Sequence, residues 1–287
     1  MDKDQAGRTW LITGANTGIG RVTAMALASR GARVWIAGRS KERTQPVVDE
    51  IRAAQGERAA EFIALDLTSL ASVQTCAQQF MATGEPLHGL INNAGVAGTR
   101  GLTQDGFEMM FGVNHLGHFL LTQLLLPLLQ KNTPSRVVIV ASRAHTRVTA
   151  VDFDGLQKPT VTTTGFMEYS VSKLCNLVHA QELARRTQGT GLTVYALHPG
   201  VVASDIWRKV PWPIRPVMNL FMEDNVSGAR TSIWCATEPS LARESGRYYD
   251  KCRAVETAPL AKDPELARTL WEKSEAWTAA FTQRASA

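Results

Sequence analysis

The chain contains no Cys-x-x-C, and its four cysteines, Cys76, Cys175, Cys235 and Cys252, fall at irregular spacings along 287 residues. Neither a disulfide framework nor a zinc site can be built on that pattern, and a reducing, cytoplasmic compartment is expected. No apolar run is long enough for a bilayer: the longest, Phe119 to Leu129, is interrupted by Thr122, Gln123 and Pro127. The opening Met1-Asp2-Lys3-Asp4-Gln5 is polar, so neither a signal peptide nor a transmembrane anchor is expected. A block of like charge is missing as well. The 31 Lys and Arg are scattered among 26 Asp and Glu, so the net charge of +5 reads as solvated surface and not as a nucleic-acid-binding face. Internal repeats and low-complexity segments are absent, and 44% hydrophobic with 20% charged residues are globular values. The length suits one α/β domain over 1–287.

What the chain has is a series of short apolar runs, each ending in small or polar residues. Thr9-Trp10-Leu11-Ile12 precedes Thr13-Gly14-Ala15-Asn16-Thr17-Gly18-Ile19-Gly20 and then a helical pattern through Arg30. Strand, glycine-rich turn and helix in that order set backbone N–H groups and a positive helix end where a pyrophosphate can sit. A turn with only a structural job is the alternative. Arg33 to Ala37 makes a second strand, ending in Gly38-Arg39-Ser40-Lys41. An acid about 20 residues beyond the glycines would hold a ribose 2′-OH. Arg39 with Ser40 and Lys41 suits a 2′-phosphate instead, which favours NADP(H) over NAD(H). After a helix over 44–55, a third strand (Glu61 to Leu65) delivers Asp66 and Leu67. Asp66 can accept from an adenine amino group or cap the helix starting at Ser69. A fourth strand, His88 to Ile91, ends in Asn92-Asn93-Ala94-Gly95, small residues that leave space for a flat ring system.

Asn114 lies in a long helical region with His115 and His118, a pair that lacks the H-E-x-x-H pattern and an acid ligand, so no metal is expected. Arg136 to Ala141 reads as a buried strand and carries Ser142 at its carboxyl end, where ligands of doubly wound sheets collect. A plain cap is the alternative for that serine. Residues 143–165 read as a loop. The helix that follows, to about Gln188, contains Tyr169-Ser170-Val171-Ser172-Lys173. Tyr169 and Lys173 share one helix face with Asn176 and Ala180, opposite an apolar face of Val171, Leu174 and Val178. A fixed ammonium lowers a phenol's pKa and makes it a usable proton donor and acceptor. A further strand, Leu192 to Leu197, leads into His198-Pro199-Gly200-Val201-Val202-Ala203-Ser204. The stretch 200–226, with Trp207, Trp212, Met218, Phe221 and Met222, has the composition of an apolar lid over a pocket, or of a packed surface loop. The lid is the preferred reading. Tyr248-Tyr249 marks a last strand and 264–283 a final amphipathic helix.

Thr-Gly-x-x-x-Gly-x-Gly, Asn-Asn-Ala-Gly, Asn114, Ser142, Tyr-x-x-x-Lys and Pro199-Gly200, in this order, resemble the classical short-chain dehydrogenase/reductase family over nearly the whole chain. Gly112-Val113-Asn114-His115-Leu116-Gly117-His118-Phe119, His198-Pro199-Gly200 and Gly246-Arg247-Tyr248-Tyr249 are most similar to its retinol dehydrogenase group. The resemblance implies a single Rossmann-type domain, with a mostly parallel seven-stranded sheet and helices on both faces. It implies hydride transfer between a nicotinamide cofactor and an alcohol or carbonyl, with Ser142 and Tyr169 on the carbonyl oxygen. Lys173 would then hold the nicotinamide ribose, and Asn114 would fix a relaying water. The pyrophosphate would lie by Gly14, Asn16, Thr17, Gly18, Ile19 and Gly20, and the adenine by Asp66 and Leu67. Asn93 would face the adenosine ribose and Val201 with Ser204 the carboxamide, with Ala94, Gly95 and Pro199 also at the cofactor. A bulky hydrophobic substrate is expected from the lid, and the helices around Phe119–Leu129 and Glu168–Arg186 are candidate homodimer surfaces by resemblance. Two rivals remain: a non-catalytic NADP-binding regulator, whose mark would be a broken Ser, Tyr or Lys, and an extended-branch epimerase or dehydratase, which needs more chain after residue 200.

Overall fold

The computed structural model describes residues 3–200 and 224–282. Within them the chain forms β1 (Thr9–Thr13), α1 (Gly18–Ser29), β2 (Arg33–Gly38), α2 (Lys41–Gln55), β3 (Ala60–Ala64), α3 (Leu70–Ala82) and β4 (Gly89–Asn92). Next come α4 (Met109–Phe111), a π turn over Gly112–Leu116, α5 (Gly117–Lys131), β5 (Ser135–Val140), α6 (Phe166–Arg186) and β6 (Leu192–His198). After the undescribed stretch follow α7 (Asn225–Thr237), β7 (Tyr248–Asp250), β8 (Arg253–Ala254) and α8 (Pro264–Thr282). Val201, Ser204 and most of the stretch read as a lid lie outside the described residues.

The strands join one sheet in the order β3-β2-β1-β4-β5-β6-β7-β8. All pairs are parallel except the last, where β8 runs antiparallel to β7. The expected seven strands fall one short, because β8 is two exposed residues with no alternating apolar pattern to read. Successive side chains of a strand point to opposite faces, so a parallel strand with both faces covered must be apolar at every position. Leu11 enters one core while Trp10 and Ile12 enter the other; Val137 and Ile139 oppose Val138 and Val140 in the same way. Trp10 needs room beside β4, where Gly89 supplies it: a Cβ there would stand 2.1 Å from the indole. Ser40 and Ser69 cap α2 and α3 by accepting from Arg43 N and Ser72 N.

The chain places β2 and β3 on one side of β1, then returns to lay β4 on the other. That reversal leaves a crevice outside the carboxyl ends of β1 and β4, where the two departing connections diverge. On one face of the sheet the last helix, α8, packs across α3, α5 and α6. Trp271 sits 5.1 Å from Phe119 and 5.9 Å from His179, with the Arg186 guanidinium 4.3 Å over its ring. Part of the face named as a candidate dimer surface is therefore covered by the chain itself. No helix among the described residues is long and apolar enough to cross a membrane.

Candidate active site

The turn after β1 is shaped by glycine. Gly14 and Gly18 hold φ of +68° and +59°, which β-carbon sterics disfavour. A Cβ on Gly20 would stand 2.5 Å from Asn93 Nδ2 and 2.7 Å from the Gly14 carbonyl oxygen, so only glycine lets α1 start that close to the β4 edge. The first turn of α1 carries no acid, and its N-terminal N–H groups face the crevice.

One hydroxyl ties this turn to the next. Thr13 Oγ1 accepts from Asn93 N (3.0 Å) and Ala94 N (2.9 Å) and lies 2.8 Å from His118 Nε2. His118 Nδ1 is 3.0 Å from the Asn114 carbonyl oxygen, which can only accept. The proton therefore sits on Nδ1, and Nε2 accepts from the Thr13 hydroxyl, leaving every polar atom of the set paired. Burial pushes the His118 pKa down to about 4, so the ring stays neutral. His115, one residue after Asn114, turns instead toward Ser274 and His179; the two histidines do not converge. Asn93 spends its amide on the Thr13 and Gly14 carbonyls (2.8 and 3.3 Å), so it braces the turn as well as lining the crevice.

Asn114 is fully buried in the π turn and clamps the segment after β4. Its Oδ1 accepts from Val96 N at 2.8 Å, and its Nδ2 donates to the Val96 carbonyl at 3.0 Å and to Ser172 Oγ at 2.9 Å. It lies behind the cleft wall and does not line the cleft. Gly95 is wedged in front of it: a Cβ there would be 3.2 Å from Asn114 Oδ1 and 3.5 Å from Lys173 Nζ.

Ser142, two residues beyond β5, has extended backbone and a side chain that accepts from Ala144 N at 3.2 Å. His145 fixes that backbone, its Nδ1 donating to the Ser142 carbonyl at 2.7 Å while its Nε2 accepts from Ala258 N at 3.3 Å. Ser142 is also hydrogen-bonded to the Tyr169 side chain. Lys173, one turn along α6 and only 2% exposed, donates to the Val140 carbonyl at 3.0 Å, and its Nζ lies 5.7 Å from the Tyr169 ring centre. Asn176, on the same face, donates to that carbonyl at 3.1 Å.

The electrostatics differ from the sequence expectation in one respect. Burial raises the Tyr169 pKa above its ordinary value, with the Ser142 hydrogen bond pulling the other way, whereas proximity to an ammonium predicts a lowered one. Lys173 is itself pushed down to about 8 by burial, and it points at the end of β5. Desolvation of the phenolate therefore outweighs the hydrogen bond with Ser142 in the free protein.

A cleft of ≈ 890 Å³ joins these parts. Gly14, Asn16, Thr17, Gly18, Ile19 and Gly20 line it, as do Asn93, Ala94 and Gly95, and Ser142, Tyr169, Lys173 and Pro199. Asp66 and Leu67 lie on the same wall, with one Asp66 oxygen accepting from Thr68 N and Oγ1. Ser69, not Asp66, caps α3. Arg39 and Ser40 line the end past β2, and Arg43, one turn further, joins them. Ser40 donates to Glu42 and accepts from Arg43 N, so its hydroxyl is engaged in the cap. The residues fit a dinucleotide: a glycine cradle that a Cβ would fill, an acid-free helix start and cations at one end. Sequence reasoning missed Arg43, legible as the next base at i+4 from Arg39. It also missed Val96, Met109, Val113, Arg143, Arg147 and Phe166, which line the other half. The two arginines were hidden inside a stretch read as loop, which in fact opens with a 3₁₀ turn, Arg143–Arg147.

Residues 8–154 match the family model for short chain dehydrogenase. The chain is 44% identical to the Dehydrogenase/reductase SDR family member 13 of Bos taurus, over 93% of this chain and 72% of that protein. It is 42% identical to the Retinol dehydrogenase 14 of Homo sapiens, over 94% and 85% of the two chains. A short chain dehydrogenase from Shigella flexneri, solved in complex with NADP, superposes with a TM-score of 0.70 at 25% identity, covering 88% of this chain and 100% of that one.

Proposed function

This chain belongs to the short-chain dehydrogenase/reductase family of oxidoreductases, and from that premise we propose that it interconverts a bulky lipophilic alcohol, primary or secondary, and its aldehyde or ketone with NADP(H). The observation that carries the reading is the convergence of Ser142, Tyr169 and Lys173 on the cleft that also holds the glycine turn. When bound, the cofactor supplies or takes the hydride at nicotinamide C4. Everything else falls to the chain. Ser142 Oγ–H donates to the carbonyl oxygen and orients it; Tyr169 O–H delivers the proton that turns the developing alkoxide into an alcohol. Lys173 holds the nicotinamide ribose, and its amine is the nearest reservoir behind the phenol. Val96, Met109, Val113 and Phe166 give the substrate half apolar walls that exclude water, in keeping with a lipophilic substrate.

Arg39 and Arg43 support NADP(H) over NAD(H), since two guanidiniums and no lining acid stand at the end of β2. Four free thiols are in keeping with the cytoplasm as the site of action. A panel of lipophilic aldehydes, ketones and alcohols, with NADPH consumption or formation as readout, tests the activity. Tyr169→Phe is expected to lower carbonyl reduction by ~10²–10⁴ with NADPH affinity retained. Turnover within about tenfold of the parent would overturn the assignment. In Arg39→Ala/Arg43→Ala the ratio of NADPH to NADH dissociation constants should collapse; an unchanged preference would remove the phosphate site.

A further inference from the structure

The charge around the substrate half of the cleft is one-sided. Among the described residues lining the whole cleft the one carboxylate is Asp66, at the adenine end, whereas Arg143 and Arg147 both line the end beyond Ser142. They sit at the two ends of the 3₁₀ turn Arg143–Arg147 for which Ser142 is the cap, so their placement is tied to the residue that orients the carbonyl. Their charges are spent differently. Arg143 places Nε and Nη2 on one oxygen of Asp250, at 2.7 and 2.6 Å, and is neutralised from behind. Arg147 has no ion-pair or side-chain hydrogen-bond partner among the described residues.

We propose that the substrate carries an anionic group at the end remote from its reacting carbon, and that Arg147 recognises it, with Arg143 as the second donor. The substrate class is then an amphipathic oxo-carboxylate or the corresponding hydroxy acid: an apolar chain against Val96, Met109, Val113 and Phe166, with its acid on the guanidinium. Arg147 stands five positions beyond Ser142 along the 3₁₀ turn, a rise of about 10 Å at ~2 Å per residue, which gives the order of the distance expected between carbonyl and anion. A guanidinium can fork onto a carboxylate, which fixes direction as well as position in an otherwise featureless apolar slot. This inference rests on the oxidoreductase reading and narrows it.

The test compares ω-oxodecanoic acid, its methyl ester and decanal, whose chain lengths suit that spacing, with NADPH as reductant. For the parent, kcat/KM for the acid should exceed that for the ester by on the order of 10-fold, chiefly through KM, and the gap should narrow as salt is raised. In Arg147→Ala the advantage of the acid should vanish, Arg147→Lys should restore part of it, and Arg147→Glu should reverse it. Equal kcat/KM for acid and ester in the parent, or an acid preference that survives Arg147→Ala, would overturn the proposal. Binding of acid and ester to the NADPH-loaded protein, followed by tryptophan fluorescence, separates the two levels of the argument. If no compound in the panel is reduced, the catalytic reading fails, while Arg147-dependent retention of the acid still upholds the anion site and equal binding still removes it.

Discussion

Lys173 shows what the site costs the fold. An ammonium buried at 2% exposure gives up its proton near pH 8, whereas the unfolded chain holds it to about 10.4. Between those values the unfolded state binds more protons, so stability rises as pH climbs through that window, and at neutral pH the buried charge costs on the order of 3 kcal/mol. Lys173→Met is therefore expected to raise the melting temperature at pH 7 while carbonyl reduction is lost. The Val140 carbonyl keeps Asn176 as donor, which limits the damage from the lost bond. A lower melting temperature at pH 7, or a gain that is the same at pH 10, would contradict this. Tyr169 works in the other direction. Its raised pKa keeps the phenol protonated throughout neutral pH, so reduction should be flat there and alcohol oxidation should climb with pH in the alkaline range. A pH profile of both directions checks it.

At the scale of elements, Thr13 joins the end of β1 to the turn after β4 and, through His118, to α5. Thr13→Val keeps the shape but leaves Asn93 N, Ala94 N and His118 Nε2 to find new partners, at about 1–3 kcal/mol for each that stays unpaired. The unfolding free energy from urea titration should fall by at least about 1–3 kcal/mol and cofactor affinity with it, and Thr13→Ser should restore both. A valine variant as stable as the parent would show that the network is dispensable. These connections also mark the limit of sequence reading. Strands β1 to β6, the glycine turn and the Tyr169–Lys173 face were legible because period and turn chemistry are local. That Thr13 forms one unit with His118 and Asn114 was not legible: it stands 105 residues before His118 and meets the pair only when the sheet assembles. The π turn at Asn114 has no sequence mark distinct from a helix, and Arg143 with Arg147 vanished into an apparent loop because two bases in a polar stretch look like solvated surface.

For the molecule as a whole, neutral buried histidines set the acid limit. His118 at the cleft is depressed to about 4 and His179, under α8, to about 3, each first of all by burial and each also by a nearby cation-forming group. Unfolded, both would protonate near 6.5, so as pH falls below that value the unfolded chain takes up protons that the folded one refuses. Stability should drop by about 1.4 kcal/mol per histidine for each pH unit between roughly 6 and 4, on top of what the carboxylates do. The two sites are distinguishable because they serve different parts of the structure. His179→Phe keeps the aromatic contacts with Phe119 and Trp271 that seat α8 and removes one titrating ring. Its unfolding free energy against pH should lose one histidine's share of the slope, about 1.4 kcal/mol per pH unit, while that of His118 and the equally buried His115 remains and NADPH binding is retained. The same slope as the parent in chemical denaturation at pH 4 to 6 would mean that the packing of α8 over α5 and α6 is not what holds His179 neutral.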